Sequence, residues 1–413
     1  MAIVKPFKAW RPKTEYAKRV SALPYDVMSS TEAAEMAAGN PYSFLHVSKA
    51  EIDLPATEDI HSEKVYIKAL ENFRKLIQEG ILIQEEKDCY YLYGQTMAGR
   101  RQLGIVGCSS IDDYFSGVIK KHEFTRPEKE LDRINHMKTL SAHAGPIFLT
   151  IPDNQRLENI IQTVTKNSSP IYDFITEDGV GHTVWIIRED KSIDEIEEIF
   201  IKEIPCTYIA DGHHRTASAA KVGQSLRQEN IHHSGSEDYN FFLSVIFPSS
   251  HLAIMDYNRV VRDLNGHQPD TFLDALKNVF EVEKHSGPYR PEGHHQIGLY
   301  LNRQWYKLTV LENDTPKDPI GVLDVSILQE RVLAPLLGIK DPRTDKRIDF
   351  VGGIRGLEEL QRRVDSGEMA AAFALFPVSL QQLIDIADSG EVMPPKSTWF
   401  EPKLRDGLFV HTF

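Results

Sequence analysis

The sequence predicts a mixed α/β protein, α+β in its wider arrangement. Three observations predict it. An amphipathic stretch at 62–79 with helical spacing is followed by the β-favouring run Tyr90-Tyr91-Leu92-Tyr93. An apolar run at 204–210 passes through Gly212 into good helix formers at 215–228. Near the C-terminus a strand-like run at 370–376 precedes Ser379, which with Gln382 three residues on forms a capping box for a helix ending at Gly390.

Taken in order, Val65, Tyr66, Ala69, Leu70, Phe73, Leu76 and Ile77 share one face of the first helix, with Ser62 placed to cap its start and Gly80 to end it. Residues 102–108 read as a glycine-punctuated strand, 184–187 as another, and 192–201 as a short acidic helix. A strand–helix–strand unit follows at 204–210, 215–228 and 239–247, and its strand pairing is left open by the sequence. The last section reads as a helix at 270–279, paired strands at 296–301 and 305–311, and a helix at 323–337. The glycine-rich 350–356 lacks the dinucleotide spacing and reads as a turn opening a helix at 357–364. These elements divide the chain into an N-terminal α/β region at 1–109, a core at 110–250 and a C-terminal α/β region at 251–413.

Composition narrows the function. A net charge of −13 and the absence of any Lys/Arg run argue against DNA or RNA as a partner, whose phosphates an acidic surface repels. Apolar content of 41% suits a globular chain, and no apolar run reaches the ~18 residues that a membrane span needs. The N-terminus has no signal-peptide core. Cys89, Cys108 and Cys206 are spread without metal spacing, as expected of reduced thiols in a cytoplasmic protein.

The densest chemistry lies in Asp211-Gly212-His213-His214-Arg215-Thr216, at the turn from strand to helix. A helix start carries free amide groups and a partial positive charge, Arg215 adds a cation, and Gly212 allows close approach to the backbone. The turn reads as a phosphate site. A second motif, Lys120-Lys121-His122-Glu123-Phe124-Thr125-Arg126, sets a carboxylate beside an imidazole with a hydroxyl and a cation nearby. It reads equally as a phosphoryl-transfer loop and as a solvated charged loop. The third, at 393–404, is stiffened by three prolines and offers Lys396, Ser397 and Thr398. It suits recognition of a small polar substrate, and equally a strap that packs Trp399 and Phe400 on a core. Pro24-Tyr25-Asp26-Val27 reads as a structural turn. Adjacent His213 and His214 diverge, so no protein-held metal is expected; Mg²⁺ carried by a nucleotide and touched by Asp211 or Glu123 is the better fit.

The Asp-Gly-His-His-Arg run resembles the phosphate-binding motif of the ParB/sulfiredoxin-like superfamily. Within it, the likeness is greatest to the nucleotide-dependent free serine kinases, which pair that motif with an upstream His-Glu and end in a Ser-Pro-Lys-Thr-Thr-like segment. His122-Glu123 and Pro394-Pro395-Lys396-Ser397-Thr398 stand in the same order here. A bacterial ParB/RepB-like family is similar over the whole chain. The resemblance implies a ParB/sulfiredoxin-like core flanked by additional N-terminal and C-terminal regions, with a longer stretch between the first two motifs than in the compact kinases. It implies an enzyme that moves a phosphoryl group from ATP or ADP, with Mg²⁺, to an alcohol group, free L-serine above all. Glu123 would be the base, His122 and Asp211 its catalytic companions, Gly212, His213, His214, Arg215 and Thr216 the phosphate holders, and Lys396, Ser397 and Thr398 the substrate binders. The alternative implied is a ParB-like regulator that binds CTP or ATP without kinase activity.

Overall fold

The computed structural model describes residues 1–311, 316 and 318–413, and its elements are mixed α/β, as the sequence predicts. Two units carry them: residues 1–252 with 402–413, and residues 253–401.

Nine strands among the described residues of the first unit form one mixed sheet. Its order is Ile119–Lys120, Thr207–Asp211, Ile147–Ile151, Phe241–Pro248, Arg100–Ser110, Tyr90–Met97, Gly181–Ile187 and Tyr172–Ile175, with Val4–Lys5 also paired to Arg100–Ser110. Strands from 1–109 and from 110–250 thus interleave in a single layer. Its middle strands are continuous apolar runs because both faces are covered: Tyr90 to Tyr93 are all buried, as are Ile105 and Val106. Leu92, Ile105, Leu149, Ile209 and Ile246 pack with Leu157, Ile161, Ile196, Phe200 and Ala220 of the helices. The two strands of the unit at 204–247 are not neighbours. Ile147–Ile151 lies between them, antiparallel to Thr207–Asp211 and parallel to Phe241–Pro248. A second cluster gathers Phe44, Leu45, Val65, Ala69 and Phe73 with Val410. The helix read at 62–79 is Glu63–Gln78; Ser62 takes the N-cap position, but its hydroxyl makes no cap hydrogen bond. The C-terminal residues stitch themselves into this unit, Asp406 bridging Ala22, Val410 bridging Trp10, and His411–Thr412 pairing with Ala142–His143.

The second unit is an antiparallel sheet ordered Phe280–His285, Gln304–Val310, Gln296–Leu301, Ala371–Leu375, Tyr257–Val261 and Ile348–Gly352. Val260, Tyr300, Trp305, Ala372 and Ala374 form its core with Leu357 and Leu360 of the helix Gly356–Asp365. The capping box at Ser379 and the left-handed cap at Gly390 are both present. Two sequence expectations change here. The helix read at 323–337 is Asp324–Leu328 continued by a π-helical stretch at Gln329–Leu333, so it stops four residues short. Pro335 explains this, since it has no amide hydrogen and its ring crowds the carbonyl four residues back. The glycine run at 350–356 is not merely a turn: it joins the strand Ile348–Gly352 to the helix Gly356–Asp365.

Candidate active site

Asp211 ends its strand, Gly212 stands in the left-handed region at φ 93°, and the helix His213–Glu229 begins at once. A β-carbon at Gly212 would be strained there. Gly212 has no side chain with which to cap this helix start, and no acidic residue lies in its first turn. The positive end of the helix dipole at this turn favours an anion.

The short strand Ile119–Lys120 runs parallel to Thr207–Asp211, with Ile119 opposite Thr207 and Lys120 opposite Tyr208. Parallel partners leave a sheet at the same end, so His122-Glu123 emerges beside Gly212-His213. The His122 and His213 rings meet edge to face, their centroids 4.4 Å apart. The His122 amide donates to Nε2 of His213 at 3.4 Å, and Nδ1 of His213 lies 3.7 Å from Oε2 of Glu123. Because Nε2 accepts, a neutral His213 carries its hydrogen on Nδ1, toward Glu123. Burial holds His213 well below the usual imidazole range and lowers His122 to about 4, so both are neutral at pH 7. His214 is half-buried, and its Nδ1 accepts from the Arg126 amide at 3.4 Å.

Asp211 is held between two cations. Its Oδ2 is 3.4 Å from Nζ of Lys403 and 3.4 Å from a guanidinium nitrogen of Arg215. Burial opposes its ionisation, but Lys403 and Arg215 outweigh that and bring its carboxyl down to about 2. Lys403 is itself fixed, its carbonyl accepting from Nε2 of Gln95 at 2.8 Å and Gln95 accepting from Gln102 at 2.9 Å.

Arg215 and Thr216, expected on the ligand, brace the turn from within. Arg215 is 4% exposed, and its guanidinium lies against Gly212, where a β-carbon would meet Nε at 3.1 Å. It donates to the Pro146 carbonyl at 2.7 Å and stands 4.0 Å from Oδ2 of Asp26. Burial disfavours the charge, and Asp26 and Asp211 more than restore it, so the cation is retained. The Thr216 hydroxyl donates back to the Gly212 carbonyl at 2.9 Å. The groups left within reach of solvent are Glu123 and Asp211, with side chains 35% and 30% exposed, together with His214.

Lys396, Ser397 and Thr398 lie in the second unit. Lys396 is exposed at φ 59°, Ser397 is buried and donates to the Pro394 carbonyl at 2.6 Å, and Thr398 is half-buried. Three further charged groups of the first unit were given no site role in the sequence reading. Asp26 sits in the turn Tyr25–Val27 beside Arg215, Lys403 lies within the motif at 393–404, and Asp406 is a buried carboxyl pushed up by burial to about 7. Asp26 was read only as part of a structural turn, Lys403 sat in the proline-stiffened segment beside Lys396, and Asp406 had no signal.

A mixed α/β protein with an uncapped helix start facing a histidine–carboxylate pair is the class that fold and site define. The chain belongs to the family described as "Protein of unknown function (DUF1015)", whose profile matches residues 4–326. No curated protein matches it. Among solved structures it is similar to a conserved hypothetical protein from Pyrococcus furiosus, at 16% identity over 74% of this chain and 94% of that one, TM-score 0.34. It is similar to a free serine kinase in complex with AMP, at 15% identity over 74% and 91%, TM-score 0.35. It is also similar to SbnI with C-terminal truncation from Staphylococcus aureus, at 12% identity over 74% and 87%, TM-score 0.40. No described helix is long and apolar enough to cross a membrane. No cluster of three or more His, Cys, Asp or Glu side chains among the described residues could hold a metal ion.

Proposed function

We propose that this chain is a nucleotide-dependent phosphotransferase that phosphorylates a small hydroxyl metabolite, free L-serine first among the candidates, from ATP or ADP. One observation carries the reading: Glu123, a carboxylate with solvent access, lies 3.7 Å from a neutral His213 at the mouth of an uncapped helix start. Two groups from distant parts of the chain thus meet where an anion is favoured. The order of the three motifs, which resembles that of the ParB/sulfiredoxin-like serine kinases, supports the same reading. Free thiols at Cys89, Cys108 and Cys206 suit a cytoplasmic setting.

In this reading the amides of Gly212, His213 and His214 receive the nucleotide phosphates, while Arg215 and Thr216 keep the turn in shape. Glu123 accepts the proton of the acceptor hydroxyl as its oxygen bonds to the terminal phosphorus. The bond to the departing nucleotide oxygen breaks, and that oxygen keeps the electron pair. His213 turns its Nδ1–H toward Glu123, and the His122 amide fixes the His213 tautomer. Lys396, Ser397 and Thr398 take the acceptor, a role implied by the resemblance. The accessible oxygens of Asp211 and Glu123 are hard donors, too few for a protein-held cation and suited to Mg²⁺ arriving on the phosphates, whose charge it would neutralise.

Incubation of the chain with ATP, ADP or CTP and free serine, followed by mass spectrometry, tests the proposal. Phosphoserine release is expected with ATP or ADP. Tight nucleotide binding without product would overturn the kinase reading in favour of a ParB-like nucleotide switch.

A further inference from the structure

The middle of a sheet is a costly place for an unneutralised charge. The strand Tyr257–Val261 lies between Ile348–Gly352 and Ala371–Leu375 with all five residues buried. It nonetheless carries Arg259, 3% exposed. No carboxylate among the described residues forms an ion pair with it. Its guanidinium instead donates to three carbonyls: that of Tyr257, that of Pro395 at 3.3 Å and that of Lys396 at 3.0 Å. Phe350 covers it at 5.4 Å. Burial lowers its proton affinity, to about 10, and leaves it charged at pH 7.

The second and third carbonyls belong to the turn Pro394-Pro395-Lys396-Ser397. Proline suits the second position of such a turn, and the third calls for a positive φ, normally supplied by glycine or asparagine. Lys396 holds that place at φ 59°. Its β-carbon makes this conformation unfavourable, and strained residues gather at ligand sites. Three contacts hold it: Arg259 on two carbonyls, the Ser397 hydroxyl on that of Pro394, and the Lys396 ammonium 5.6 Å above the Tyr257 ring. The result is an exposed ammonium on a turn whose carbonyls are held by a buried guanidinium.

We propose that the turn 394–397 is an oxyanion-binding corner, which takes the carboxylate or phosphate of a small metabolite on Lys396, and that Arg259 is the positioning residue that shapes it. The proposal rests on the reading of Lys396, Ser397 and Thr398 as acceptor-binding, and it adds the chemical group recognised and the residue that prepares the site. A simple packing role would be filled better by an apolar side chain of similar volume, as buried charges generally are.

Trp399 provides the probe, since its ring lies 4.9 Å from that of Tyr257. The full chain, labelled with 5-fluorotryptophan and with Trp399 assigned by Trp399→Phe, is titrated with L-serine, with inorganic phosphate and with L-serinamide, which lacks the carboxylate. Serine or phosphate should move the Trp399 fluorine resonance to saturation, and serinamide should not. Arg259→Met should weaken that binding at least tenfold and speed hydrogen exchange at 393–400. Should that variant not fold, Lys396→Gly carries the test: it relieves the strain, so exchange at 393–400 stays slow while anion binding is lost. A native resonance unmoved by serine and phosphate, or native affinity in Arg259→Met or Lys396→Gly, would overturn the proposal. ADP binding by the native chain is read separately; its absence would remove the nucleotide reading and leave this corner standing.

Discussion

Two buried arginines, one in each unit, have their charge met in different ways. In the first unit Arg215 meets Asp211 and Asp26, as Arg11 meets Glu85 at 2.6 Å and Arg405 meets Asp178. In the second, Arg363 likewise meets Asp349 at 2.8 Å, whereas Arg259 is met by backbone carbonyls. The first unit also buries six histidines, His122, His136, His143, His182, His213 and His411, each lowered chiefly by desolvation. A network of neutralised charges ties the stability of its own unit to pH, whereas a cation held by carbonyls places a loop.

Acid should expose that contrast most strongly. Burial lowers His122 and His136 to about 4 and His182 to about 3. An unfolded chain binds these protons first, so the stability they contribute is complete above pH ~6.5 and is lost as pH falls toward 4. Each such group removes ~1.4 kcal/mol per pH unit in that window. Asp406 acts in the opposite sense, because a carboxyl raised by burial to about 7 costs stability as pH climbs from ~4 to 7. Burial raises Asp113 and Glu197 as well, which makes three carboxyls against six histidines. Hydrogen exchange followed from pH 7 to 4 should therefore show residues 1–252 opening before 253–401, and the reverse order would break the comparison.

The next largest effect concerns the two arginines. Arg215→Met removes a buried cation from beside the partly exposed Asp211 and Asp26 and should cost ~1–3 kcal/mol in urea unfolding. Arg259→Met strands no carboxylate and should cost clearly less; equal costs would contradict the distinction. Smaller still, Gly212→Ala should destabilise by ~1–2 kcal/mol, through its φ of 93° and a new contact 3.1 Å from Arg215. Smallest is Lys403→Met, which removes one of the two cations beside Asp211. Carboxyl-carbon NMR should then show the Asp211 midpoint moving up from about 2, and no movement would sever Lys403 from the site.

Much of this was legible in the residues. The strand–Gly212–helix turn was, because a positive-φ glycine between an apolar run and helix formers has few other readings. The capping box at Ser379 was, because it is local. The approach of Glu123 to His213 was not, since it depends on the parallel pairing of Ile119–Lys120 with Thr207–Asp211, a long-range fact. The inward course of Arg215 escaped notice because its partner Asp26 is far away in sequence. Arg259 lies in the strand Tyr257–Val261, which no sequence signal singled out.

The central claim is that Glu123 serves the acceptor at a site whose nucleotide is held by the turn at Gly212. Glu123→Gln measures it most directly, with turnover and nucleotide dissociation constant determined on the same preparation. Turnover should fall ~10²–10⁴-fold while nucleotide affinity stays within about twofold of native. Equal loss of both, or unchanged turnover, would contradict it.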